Sequence, residues 1–177
     1  MKSNSISKFI CLILRHKPNT IGITLDRNGW ANTQELLNGL NTAGKSINME
    51  QLITLVNTDN KNRFSFNLDK SKIRANQGHS LSVDLGLTES VPPDLLYHGT
   101  SEKFIDSIKQ NGIQKRTRQH IHLSTDIEKA IAVGKRHGNP VVLKINTKQM
   151  FLDGYKFYLS ENGVWLTDNV PYQYVLS

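Results

Sequence analysis

Apolar residues near the N-terminus fall at Ile6, Phe9, Ile10, Ile13 and Leu14. The spacing i, i+3, i+4, i+7, i+8 marks one face of an amphipathic helix, with Ser5 placed to cap it and Pro18 to stop it. Cys11 and Leu12 widen the stripe, so the pattern predicts a helix covered on more than one side. Ile21 to Leu25 reads as a short strand that turns at Asp26-Arg27-Asn28-Gly29. Asn32 with Glu35 and Asn48 with Gln51 have capping-box spacing, which predicts two further helices. Phe64, Phe66 and Leu68 alternate with Arg63, Ser65 and Asn67, as in a strand, and a second strand is expected over Lys72 to Ala75.

Helix, strand, two helices and a hairpin is the order of a winged-helix module. Residues 84–94, DLGLTESVPPD, then break the periodicity with Gly, Ser and two prolines, which places a boundary there. The remainder alternates shorter elements. Strands are expected at Leu95 to His98, His120 to Ser124 and Val141 to Ile145, the last buried by its β-branched content. Ser101 is placed to cap a helix carrying Phe104, Ile105 and Ile108. Thr125 with Glu128 boxes another that runs toward Gly134. Asn162-Gly163 signals a hairpin between Tyr155 to Leu159 and Val164 to Thr167. The expected class is α+β in two lobes, residues 1–90 and 91–177, the first winged-helix-like and the second richer in strands.

Composition narrows the chemistry. The chain of 177 residues carries a formal charge of +7, spread over both halves, which suits an anionic partner without marking a basic tail. No apolar run approaches the roughly 18 residues of a membrane span. With no signal-peptide pattern at the N-terminus the expected location is cytoplasmic. The single Cys11 precludes an internal disulfide, and no Cys/His spacing resembles a zinc site, so no metal is expected. No obligate protein partner is evident. Gly39-Leu-Asn-Thr-Ala-Gly-Lys-Ser46 matches the phosphate-loop pattern GxxxxGK[ST] letter for letter. Its context is wrong: a helix precedes it, the next helix starts after Asn48, and the pattern works only between a strand and a helix N-terminus.

Four places join anion-binding side chains to backbone suited for close approach: Arg15-His16, Arg63, His98-Gly99-Thr100, and His122 to Ser124 with Arg136-His137-Gly138. Singly, each has a structural reading, such as a terminal Arg-His complementing a helix dipole. In order along the chain, LRHKP, NRFSF, IRANQGHS, LYHGT, HIHLS, GKRHGNPVVL and NGVWLT resemble the motifs of the RNA 2′-phosphotransferase family over nearly the whole length.

That resemblance implies an NAD+-dependent enzyme that moves an internal RNA 2′-phosphate to NAD+. It implies an RNA-phosphate-binding winged-helix-like lobe and an ADP-ribosyltransferase-like lobe for NAD+. The absence of a GxGxxG after a strand agrees, since such a lobe does not use the Rossmann fingerprint. By resemblance, Arg15, His16, Arg63 and Arg136 hold and transfer the phosphate. His98, His122 and Val164 take the triad positions of the NAD+ lobe, with Gly99, Thr100, Ser107 and Ser124 as further cofactor contacts. Arg74, Asn76, Gln77 and His79 are candidates for RNA binding. Val164 stands where many protein-modifying relatives carry Glu, and a phosphate acceptor is already ionised. Two alternatives remain open at this level: ADP-ribosylation of nucleic-acid 5′-phosphate ends, and a non-enzymatic winged-helix binder.

Overall fold

The computed structural model describes residues 2–176, with side chains from Ser5 onward. It is α+β, with six α-helices and three small antiparallel sheets among the described residues. Contacts divide the chain into two compact units, Met1–Gly86 and Leu87–Ser177. No helix among the described residues is long and apolar enough to cross a membrane.

In the first unit, α1 spans Lys2–Arg15 and buries Ile10, Ile13 and Leu14 completely. It begins upstream of Ser5, which therefore lies inside the helix, and Leu12 is exposed instead of widening the stripe. The N–H groups of His16 and Lys17 both donate to the Leu12 carbonyl, an i−4 and a wider i−5 bond that close the last turn. Pro18 then opens a short 3₁₀ turn, Pro18–Ile21, closed by Gly22 at φ 72°. That left-handed residue prevents the strand expected over Ile21 to Leu25. The strand forms later as β1, Trp30–Asn32, after a turn in which Asp26 Oδ1 accepts from the N–H groups of Asn28 and Trp30.

Asn32 caps α2 (Thr33–Thr42) by accepting from the Gln34 and Glu35 N–H groups. Asn48 caps α3 (Met49–Asn57) with the reciprocal Gln51 bond of a complete capping box. The hairpin strands are β2, Phe64–Phe66, and β3, Lys72–Ala75, and the sheet order is β1-β3-β2. Leu68 lies beyond β2, fully exposed in the turn. Leu36, Leu40, Leu52, Phe64 and Ile73 join the α1 stripe in one core. The phosphate-loop look-alike resolves into structure: Gly39 sits within α2, where an added Cβ would meet the Ile21 carbonyl oxygen at 2.7 Å, and Gly44 makes a turn at φ 72°.

In the second unit, β4 (Leu95–Ser101) pairs along its length with β6 (Pro140–Asn146), and β9 (Val175–Leu176) lies on the other side of β6. A second sheet has the order β5-β8-β7, from Ile121–Leu123, Trp165–Thr167 and Tyr158–Leu159. Paired N–H···O bonds of 2.8 and 2.9 Å between Tyr97 and Ser124 link β4 to the end of β5. Ser101 makes no side-chain cap; a 3₁₀ turn intervenes before α4, Ile105–Asn111. Asp126, not Thr125, caps α5 (Ile127–Gly134). In β6 only Ile145 is buried, so its β-branched run is half-covered, short of the fully buried strand expected. Helix α6, Thr147–Leu152, and strand β9 carry no clear signal in the sequence. Leu96, Leu123, Ile145, Met150 and Phe157 form this unit's core.

Candidate functional site

In the first unit the end of α1 meets the segment that follows β3. The Ser80 N–H donates to the Arg15 carbonyl at 3.0 Å, and Ser80 Oγ lies 2.9 Å from His16 Nδ1. Gly78, at φ 88°, places its backbone beneath Arg15; a Cβ there would sit 3.4 Å from the guanidinium. Side chains 64 positions apart are thus held together by one short, glycine-dependent strap.

Arg63 is held by Asp59. Its Nε donates to both carboxylate oxygens at 3.1 and 3.0 Å, Nη2 donates to Oδ1 at 2.7 Å, and its own backbone N–H donates to Oδ2 at 2.7 Å. Burial pushes the Asp59 carboxyl up, but these bonds and one from the Lys61 N–H outweigh it and hold it below the usual carboxylate range. Burial pushes the Cys11 thiol up, against the pull of Arg15 and Arg63.

Asn76 ties this group to the hairpin: its N–H donates to the Arg63 carbonyl and its amide to the Asn62 carbonyl. Its Oδ1 is buried with no hydrogen-bond partner among the described residues. His79 is 1% exposed, and neither ring nitrogen has a hydrogen-bond partner there. Burial, then the charges of Arg15, His16 and Arg74, lower its pKa to about 4, so it is neutral at pH 7. Arg74 stacks 4.5 Å over the ring of Trp30, which is half-buried, and Gln77 is half-buried beside Asn76. The structure therefore brings together Arg15, His16, Arg63, Arg74, Asn76 and His79, a cationic group with orphaned acceptors, suited to an anion that also carries hydroxyls.

In the second unit His98 on β4 places Nδ1 3.1 Å from the His122 carbonyl. A carbonyl only accepts, so the proton sits on Nδ1 and Nε2 carries a lone pair. His122 has the opposite tautomer: Arg118 Nη1 donates to its Nδ1 at 2.6 Å, which leaves the proton on Nε2. Burial chiefly lowers the pKa of His98, with Arg118 and His137 adding to it and the bond to the His122 carbonyl opposing. Burial and then Arg136 lower that of Arg118. Arg136 itself is exposed just past α5, so two guanidinium groups share one field.

The other expected cofactor contacts are less uniform. Thr100 is buried, and Ser124 Oγ accepts from the Asp126 N–H. Ser107 is exposed on α4, and its carbonyl accepts from the Asn111 side-chain amide. Val164 precedes β8, its backbone locked to Ser160, one step past the Leu123↔Trp165 pair and so beside Ser124. Gly99 is spoken for by packing: an added Cβ would lie 1.8 Å from the Ala130 carbonyl oxygen of α5. His120 packs at a tilt against Tyr158, and no group of three metal-binding side chains occurs among the described residues.

Asp59, Ser80 and Arg118 escaped the sequence reading. Asp59 and Arg118 each stand four residues before the side chain they hold, a readable spacing whose meaning depends on burial. Ser80 closes the IRANQGHS stretch, but nothing local links it to His16.

A model of the RNA 2′-phosphotransferase, Tpt1 / KptA family matches residues 1–169. Among curated proteins, a probable RNA 2′-phosphotransferase of Fusobacterium nucleatum is 56% identical, covering 96% of this chain and 96% of its own. Proteins with the same description from Flavobacterium johnsoniae and Hahella chejuensis are 51% and 49% identical, each covering 98% of this chain and 95% and 94% of their own. With a family model spanning nearly its whole length and relatives this similar from end to end, the chain belongs to the RNA 2′-phosphotransferase, Tpt1 / KptA family.

Proposed function

We propose that this chain transfers an internal RNA 2′-phosphate to NAD+, leaving a 2′-hydroxyl on the RNA and releasing ADP-ribose 1″,2″-cyclic phosphate and nicotinamide. Beyond family membership, the observation that carries the reading is the convergence of Arg15, His16 and Arg63 on one strap-held group in the first unit. Guanidinium forks match phosphate oxygens in a way that ammonium groups do not.

In the first step a 2′-phosphate oxygen bonds to the anomeric carbon of the nicotinamide riboside as the bond to nicotinamide breaks. The nucleophile is already ionised, so the protein's task is positioning, and no general base is needed. Val164 in place of a carboxylate suits such an acceptor. In the second step the ribose 2″-oxygen bonds to phosphorus, the bond from phosphorus to the RNA 2′-oxygen breaks, and that oxygen takes up a proton. Arg15 and Arg63 stabilise the phosphoryl charge and His16 moves the proton. His98 accepting and His122 donating through their Nε2 atoms fit ribose hydroxyls of NAD+. The first unit, Met1–Gly86, acts as a winged-helix-like RNA lobe, and the second, Leu87–Ser177, as an ADP-ribosyltransferase-like lobe, with the boundary four residues before the one expected after residue 90. Arg74, Asn76, Gln77 and His79 line the RNA side.

The test incubates purified protein with a short RNA carrying one internal 2′-phosphate, with and without NAD+. Loss of the phosphate only when NAD+ is present, with the cyclic phosphate as product, is expected. RNA that keeps its phosphate overturns the reading, and a parallel RNA with only a 5′-phosphate measures end modification. His16→Ala should slow the second step and let the ADP-ribosylated RNA accumulate; wild-type kinetics in that variant would remove His16 from the proposed chemistry.

A further inference from the structure

Arg63 is bound to a carboxylate, which is an odd companion for a side chain meant to attract phosphate. Asp59 lies just beyond α3, 3% exposed at its side chain, in a turn closed by the Asn62 N–H donating to its carbonyl at 2.8 Å. It accepts three bonds from the Arg63 side chain and one from the Arg63 backbone, while the Lys61 N–H reaches Oδ1 at 3.3 Å. The pair subtracts charge from the anion site. As a contribution to stability it is modest, because Arg63 retains 22% side-chain exposure. What the arrangement does supply is orientation: both Nε and Nη2 are committed, so the guanidinium plane is fixed by the same turn that fixes the backbone beneath it.

We propose that Asp59 is a positioning residue for phosphoryl transfer, holding Arg63 by Nε and Nη2 so that the rest of the fork meets the phosphate in one orientation. This rests on the reading that Arg63 holds the RNA 2′-phosphate. Preorganised charge is most effective where it develops in the transition state, here the second step, and small misplacements there are costly. Asp59 therefore acts on that step through Arg63 and touches no substrate itself.

The simpler role, turn formation, is separated by a double-mutant cycle on the full chain. Single-turnover assays with 2′-phosphorylated RNA and NAD+ follow both steps for wild type, Asp59→Asn, Arg63→Ala and the double variant. Asp59→Asn should slow decay of the ADP-ribosylated RNA by about 10- to 100-fold, with a smaller change in its formation. In the Arg63→Ala background the same change should cost less than about twofold, because the group it positions is gone. Equal slowing in both backgrounds, or wild-type decay in Asp59→Asn, overturns the proposal. If Asp59→Asn melts below the assay temperature, Asp59→Glu keeps the charge but shifts the guanidinium by a methylene, and the same comparison in both backgrounds decides. Wild-type protein that leaves the phosphate in place overturns the functional reading as well, whereas an active wild type with a null cycle overturns only the role of Asp59.

Discussion

A neutral imidazole beside two arginines, with neither ring nitrogen hydrogen-bonded among the described residues, makes His79 a group whose protonation in acid opposes the fold, as burial also does for His98 and His120. Its folded pKa of about 4 lies below the ordinary 6.5, so in that window the unfolded chain binds the extra proton. Stability is complete above pH 6.5 and falls as the pH drops toward 4, by about 3 kcal/mol for this one group. Asp26 and Asp59 have depressed carboxyl groups, so their contribution is held above the ordinary 3.8 and lost only below it, outside the His79 window. Urea unfolding at pH 7, 5.5 and 4.5 should show this slope in wild type and a flatter one in His79→Gln. Parallel slopes in the two proteins would mean that His79 is not the group protonated. The motif around His79 was visible in the sequence, but its surroundings were not, because Gly29 packs against its ring and the charge of Arg15 acts on it, both distant in sequence.

Among the elements, α5 approaches β4 too closely for a side chain at two positions. Gly99 and Gly134 occupy them: a Cβ on Gly99 would lie 1.8 Å from the Ala130 oxygen, and one on Gly134 2.4 Å from the Thr100 oxygen. Both obstacles are backbone and cannot swing aside. Gly99→Ala should therefore cost about 3 kcal/mol or more in thermal or urea unfolding. Gly44→Ala, at φ 72° with nothing within 4 Å, should cost about 1 kcal/mol and leave NAD+-dependent activity intact. A mild Gly99→Ala would refute the packing account; loss of activity in a folded Gly44→Ala would revive the phosphate-loop reading. The same contrast explains what the sequence disclosed. Helices α1, α2 and α3 were legible because stripes and capping asparagines are local. The strand at Ile21 to Leu25 failed because one left-handed glycine overrode an apolar run, and β9, two residues long, is too short for a period, whereas the Asn162-Gly163 turn announced the β7–β8 hairpin. Gly99 in the LYHGT stretch is required by the packing of α5, a tertiary contact that no local pattern announces. Arg118 sat unread in a basic loop because its partner tautomer is a tertiary fact.

Across the whole molecule the +7 charge is shared as +4 in residues 1–90 and +3 in residues 91–177, so no single tail accounts for it. A diffuse positive field attracts any polyanion, and specificity must come from the fixed groups already described. The two kinds of contact separate by salt. Each phosphate neutralised on a single strand contributes about −0.7 to the slope of log affinity against log salt. Arg74, stacked on Trp30 at the β1–β3 pair, is the hairpin cation whose geometry is best defined. Arg74→Ala should weaken binding of RNAs of unrelated sequence to a similar degree and reduce the slope by about 0.7. It should change the decay of the ADP-ribosylated RNA little once RNA is saturating, because Arg15, His16 and Arg63, the group proposed to meet the reacting phosphate, are unchanged. Binding titrations at several salt concentrations, run alongside single-turnover assays, check both halves. An unchanged slope would take Arg74 off the RNA path, and slowed decay at saturating RNA would move it from the RNA flank to the phosphate itself.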